Sequence, residues 1–220
     1  MQNTSKIFSL VIKEYRYDWR SRSALSGMLM YVFATVFICY LSFKNVIDIP
    51  TWNSLFWIII LFVAINAIAK SFMAESKALQ LFYYSFLSPY HIIVSKIIYH
   101  AVLMFVLATL GAFIFTFFLG NPVQSYLQFS LALLLGSVSF SSCLTMISAI
   151  ASRATNNPAL LAVLGFPVLL PVLTVTIRFS KNAIDGLAWS VNQPYFILLL
   201  CLNALILALA YLLFPYLWRE

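Results

Sequence analysis

Six apolar runs of about 18 or more residues divide this chain, near 24–43, 52–69, 97–119, 126–151, 159–179 and 196–217. Charged residues make up only 9% of the sequence, whereas a soluble domain covers its surface with about 25%. Lipid must therefore be the solvent for most of the chain, and a helix is the form in which such a run satisfies its own backbone groups there. The runs predict an all-α integral membrane protein with six transmembrane helices. The connections near 44–51, 120–125 and 152–158 are too short to fold alone, so residues 1–220 read as a single membrane domain. No internal repeat, low-complexity tract or linker interrupts it. The opening residues do not read as a secretory signal, because over 20 residues rich in charge and aromatic rings precede the first apolar run.

The net charge of +7 is distributed by side. With six spans, one side receives Lys6, Lys13, Arg16, Arg20, Arg22, Lys70, Lys77, Lys96, Arg153 and Arg219. The other receives Lys44, Arg178 and Lys181. This asymmetry predicts cytoplasmic N- and C-termini. The basic excess then reads as topology and attraction to anionic lipid, with no nucleic-acid partner. Cys39, Cys143 and Cys201 fall in different runs without a C-x-x-C spacing and read as small buried residues.

Two further segments have the pattern of helices lying on a membrane. In 6–20, Phe8, Val11, Ile12, Tyr15 and Trp19 share one helical face, and Lys6, Ser9, Lys13, Arg16 and Arg20 share another. This predicts an N-terminal interfacial elbow helix, either framing the mouth of a transporter or simply anchoring the first span. The second segment belongs to ESKALQLFYYSFLSPYHIIVSK, residues 75–96. Phe72, Leu79, Phe82, Tyr83 and Phe86 share an arc into which Glu75 also falls. No lysine or arginine stands three or four residues from Glu75, so its charge needs a partner from elsewhere in the fold or from another protein. Serine before proline suits an N-cap and a first helical position. The third span is therefore expected to begin at Pro89, with Ser88 as its cap and Lys96 snorkelling to the interface.

No G-x-x-x-x-G-K-[ST] motif occurs, so ATP binding by this chain is not expected. None of the six acids lies centrally in a span, and no Ser-His-Asp or zinc-ligand spacing appears. His91 and His100, weighed as haem ligands, stand on opposite sides of one helix and read as interfacial residues. Ser137, Ser141, Thr145 and Ser148 recur at helical spacing beside Gly136, as a close-packing stripe or the wall of a groove. Asn66 and Asn203 read as interhelical hydrogen-bonding residues. Pro167 and Pro171 predict a break or kink in the fifth span, as a hinge, a cavity-lining bend or a tolerated irregularity.

The elbow, the polar helix between spans two and three, and the following L-S-P-Y-x-I-I-x-S-K resemble the membrane subunits of type-2 ABC exporters. The short loops, the S-R at 152–153 and the P-x-x-x-P in the fifth span narrow the resemblance to the CcmB family, often called haem exporter protein B. The likeness covers essentially the whole chain. It implies a permease subunit for cytochrome c maturation, in which a coupling helix docks on a separate ATP-hydrolysing subunit. By position, the family's acidic coupling segment falls on Glu75 through Leu81, including Lys77 and Leu79. Its turn falls on Leu87, Ser88 and Pro89, its following lysine on Lys96, and its fifth-span prolines on Pro167 and Pro171. The family often shows an acidic pair and a D-G-S-L-E-like stretch before the turn, where this chain reads M-A-E-S-K-A-L. The tryptophan-rich haem-handling motif belongs to a different subunit and does not occur here.

The resemblance further implies a CcmA-like ATPase, CcmC-like and CcmD-like membrane partners and a CcmE-like periplasmic haem chaperone. No cofactor is expected on this chain itself; ATP would bind the ATPase, and haem would be the species exported or released with the chaperone. Two rivals share much of the sequence pattern: a type-2 ABC permease for a lipid, polysaccharide or drug, and a non-transporting scaffold docking through Ser137–Ser148.

Overall fold

A computed structural model describes residues 2–20, 22–43, 47–68, 71–72, 88–154 and 158–219. Among these residues all regular structure is helical. The helices are α1 (Gln2–Arg20), α2 (Arg22–Phe43), α3 (Ile49–Ile68), α4 (Pro89–Leu119), α5 (Tyr126–Ala154), α6 (Pro158–Ile184) and α7 (Trp189–Arg219). Five of them, α2, α3, α4, α5 and α7, contain described stretches long and apolar enough to cross a membrane. The fifth predicted span is occupied by α6, a helix of 27 residues. The proposed coupling segment, with Glu75, Lys77, Leu79, Leu81 and Leu87, lies outside the described residues.

The bundle is built around α5, which packs against α3, α4, α6 and α7. Of its apolar stretch, 78% is buried, whereas for α2 the share is 11%, so α2 lies at the rim and α5 in the centre. The sequence of α5 explains its place. Ala132, Gly136, Ser139, Ser142 and Ala149 are small, and neighbouring helices approach closely over small residues. At Gly136 a β-carbon would stand 2.8 Å from the Trp57 ring and 3.1 Å from Thr176, so only glycine admits the indole between α5 and α6. Around this point Trp52 and Phe56 of α3 meet Phe115 of α4, with centroids 4.9 and 5.9 Å apart. Edge-on contacts of this kind add to the area the rings bury.

Side-chain hydrogen bonds hold the end where α3, α5 and α7 begin. The Trp57 indole donates to Ser180 Oγ at 2.7 Å, and the Ser180 hydroxyl donates to Asn53 Oδ1 at 2.8 Å. Asn53 in turn donates to the Ile177 carbonyl. A second set joins Asn192 to Gln128 at 2.8 Å, Asn182 to Asn192, and Gln128 to the Leu187 carbonyl. Buried amides need such partners, and here the partners come from different helices and fix their register.

Two expectations about single elements are narrowed. Of the break or kink predicted at Pro167 and Pro171, the break is absent: α6 runs continuously through both, and both lie on its exposed face. Each proline removes one N–H from the ladder, but ending the helix in lipid would leave several backbone groups without partners. Asn66 is exposed and donates to the Phe62 carbonyl of its own helix, so it ties no helices together. Asn203, by contrast, reaches both Leu199 of its own helix and, at 3.4 Å, the Leu135 carbonyl of α5. Cys143 is buried as expected, whereas Cys201 is on the exposed face of α7.

Candidate functional site

At the other end of the bundle, the chain enters and leaves the 73–87 segment at one junction. Ser88 is extended (φ −77°, ψ 145°), as a residue before proline prefers, and Pro89 opens α4. The expected serine cap takes another form. The Ser88 hydroxyl makes no capping bond to the backbone and lies 2.7 Å from His91 Nδ1 instead. On the incoming side, Phe72 is buried in a small cluster separate from the main core, with Ile92, Ile93 and Ile97 of α4, Ala149 of α5, and Ala210 and Phe214 of α7. Its ring lies 5.6 Å from that of Phe214. The Phe72 amide donates to Ser148 Oγ at 3.4 Å.

Lys96 is the centre of this junction, and the structure overturns its expected role as a snorkelling residue. It is 1% exposed. Its ammonium stands 3.4 Å from Glu14 Oε1 of α1, donates to the Ser71 carbonyl at 3.3 Å, and lies 4.8 Å from the centre of the Phe72 ring. A lysine at the mouth of an apolar span can either reach water or find an anion. Here α1 lies across its path and supplies the anion. Glu14 also accepts from Lys13 at 2.9 Å. Burial pushes the Glu14 carboxyl up, but Lys96 and Lys13 outweigh it and hold the group below its ordinary value of 4.5.

Two more contacts extend the junction into the bundle. The Tyr99 hydroxyl donates to Asp18 Oδ2 at 2.5 Å, a second bond between α4 and α1. His100 is buried, not interfacial, with Nδ1 2.8 Å from Thr145 Oγ1 of α5. The stripe residues Ser137, Ser141, Thr145 and Ser148 are all buried. Ser137 and Ser141 turn their hydroxyls back to the Leu133 and Val138 carbonyls of their own helix, whereas Thr145 and Ser148 meet His100 and Phe72. Pro167 and Pro171 are on a different helix and take no part in the contacts described at this junction.

Among the described residues no group of three or more His, Cys, Asp or Glu side chains could hold a metal. A displacement of residues 71–72 or 88–89 would act on one buried ion pair and one apolar cluster, and through them on α1, α4, α5 and α7 together. Sequence reasoning did not find Glu14, Asp18 or Thr145 as partners here. The available signal was a lysine at the start of an apolar run together with two acids on an otherwise basic helix.

No curated protein and no solved structure matches the chain. A family model described as CcmB protein matches residues 5–216.

Proposed function

This chain belongs to the CcmB family, and from that premise we propose how its junction converts work done by a partner into movement of the bundle. The family places it as the membrane permease subunit of an ABC transporter for haem handling in cytochrome c maturation, a multi-pass membrane protein rather than a catalytic one. In our reading six helices span the inner membrane with both termini cytoplasmic, and α1 is the interfacial elbow. Residues of about 70–88 form a coupling helix in a cleft of a CcmA-like ATPase. There Glu75 and Lys77 meet the partner's polar groups, and Leu79, Leu81 and Leu87 face apolar surface.

The observation that carries this reading is the shared anchorage of the segment's two ends. Lys96 of the outgoing helix bonds the Ser71 carbonyl of the incoming strand of chain, and Phe72 packs among Ile92 and Ile93. A helix held at one base behaves as a lever, and closure of the ATPase would tilt α4 with α1 attached. The consequence of the stroke is haem export or release of a haem-loaded CcmE-like chaperone, in concert with CcmC-like and CcmD-like subunits. This chain holds no cofactor of its own in that scheme; ATP is the ATPase's, and haem is the cargo.

The test is co-purification. Glu75→Lys should lower recovery of the ATPase with this chain several-fold while membrane insertion stays at the wild-type level. Unchanged recovery would remove Glu75 from the contact. An ATPase that co-purifies with no haem-maturation protein would favour a permease for another substrate.

A further inference from the structure

A groove of about 450 Å³ lies between α1, α2 and α4 and meets the coupling junction at Tyr99. Val11, Ile12 and Tyr15 of α1 form one wall, Leu29 of α2 another, and α4 the floor from Tyr99 to Leu110. Those two floor residues are eleven positions apart, about 16 Å of helix at 1.5 Å per residue. One leaflet of a hydrocarbon core about 30 Å thick has the same depth.

The lining is graded along that depth. Tyr15 and Tyr99 are at the α1 end, and beyond them the α4 floor is aliphatic: Val102, Leu103, Val106, Leu107 and Leu110. Tyrosines mark the headgroup level of a bilayer and aliphatics its interior. The charges of α1 are sorted in the same sense. Its acids turn into the protein, Glu14 to Lys96 and Asp18 to Tyr99, while the cations Lys6 and Arg16 are exposed. Arg16 follows Tyr15 in the chain and stands one turn beyond Ile12. The rim of the groove is thus cationic on its outer side.

We infer that this groove binds one acyl chain of an anionic glycerophospholipid, in the leaflet on the α1 side, with the phosphate beside Arg16. A helix from a second copy fits less well. It would need a contact along the whole span, but the groove ends at Leu110, nine positions before α4 does, and the floor helix continues with the outward rings of Phe113 and Phe117.

The experiment uses the purified full-length chain in nanodiscs carrying a trace of phosphatidylglycerol or phosphatidylcholine with a photoactivatable acyl tail. Label should concentrate on residues 11–15 and 102–110, several-fold above the lipid-facing Phe113, Phe117, Ile197, Leu198 and Leu200. Phosphatidylglycerol should label the groove several-fold more than phosphatidylcholine, and Arg16→Glu should abolish that preference while leaving acyl labelling in place. Leu103→Trp, which fills the groove, should remove the groove label and leave the rest of the pattern and the thermal midpoint unchanged. Even labelling over all lipid-facing residues, or equal labelling by the two lipids, would overturn the assignment. So would efficient disulfide formation between copies carrying Val106→Cys, which would give the groove to a second molecule.

Discussion

Lys96 shows how much one contact can change the meaning of a residue. In sequence it is a cation near the mouth of a span, and snorkelling is the ordinary outcome. In the fold it is enclosed by α1 and the 71–72 turn, and Glu14 stands 82 positions away in the chain (96 − 14). No local pattern reports such a pairing, and the helical periodicity of 6–20 gave Glu14 no role. Removing one partner of a buried pair is costly, at about 3–5 kcal/mol. Glu14→Gln should therefore lower the thermal midpoint of the detergent-purified chain sharply, and Glu14→Gln with Lys96→Met should recover much of the loss. The pH dependence has a definite sign. The folded carboxyl of Glu14 titrates below 4.5, so its contribution is present at and above that value and is lost as the pH falls through the lower, folded one. Melting followed from pH 7 downward should show an acid limb that Glu14→Gln makes shallower.

At the level of the helix, position 136 decides how closely α5, α3 and α6 can meet. The Trp57 indole occupies the space a β-carbon would need, and its N–H closes a bond to Ser180 across the bundle. Gly136→Val should cost about 1–3 kcal/mol through overpacking, read as a lowered unfolding midpoint. Trp57→Leu alone should also destabilise, because it empties the cleft and removes the indole donor. The two changes together should cost less than their sum, and strict additivity would show that the ring and the glycine do not compete for one volume. The helices themselves were readable from apolar run length, since lipid enforces a helix wherever such a run occurs. The small residues along α5 pointed to close packing, but not to which helices would do the packing. Asn53, Gln128 and Asn192 gave no warning of their network, because polar residues near span ends are ordinary in any membrane sequence.

Over the molecule as a whole, the two ends of the bundle are made differently. One is fastened by many neutral hydrogen bonds among α3, α5, α6 and α7, the other by an ion pair, an aromatic cluster and a tyrosine–aspartate bond that include α1. The proposed orientation puts the first end outside. In a chain without Cys39, Cys143 and Cys201, Gln124→Cys should react with an impermeant thiol reagent in intact spheroplasts, and Lys77→Cys only after lysis. The reverse pattern would place the proposed coupling helix beyond the reach of any cytoplasmic motor. The order of the apolar helices and the start of α4 at Pro89 were legible beforehand, since each is local. The fastening of each end was not, because it depends on residues brought together from distant parts of the chain.

The burial of Lys96 also constrains how the protein is made. Its counter-charge is on a helix made before α4, so α1 should already be at the bilayer surface when α4 arrives. A ribosome that has just delivered α4 has a lysine to hide, and Glu14 of the earlier-made α1 is the carboxylate that meets it. Chains whose first 20 residues are deleted, or held away by a bulky fusion, should then fail at the third span rather than the first, with residues 89–119 left accessible to protease in newly made protein.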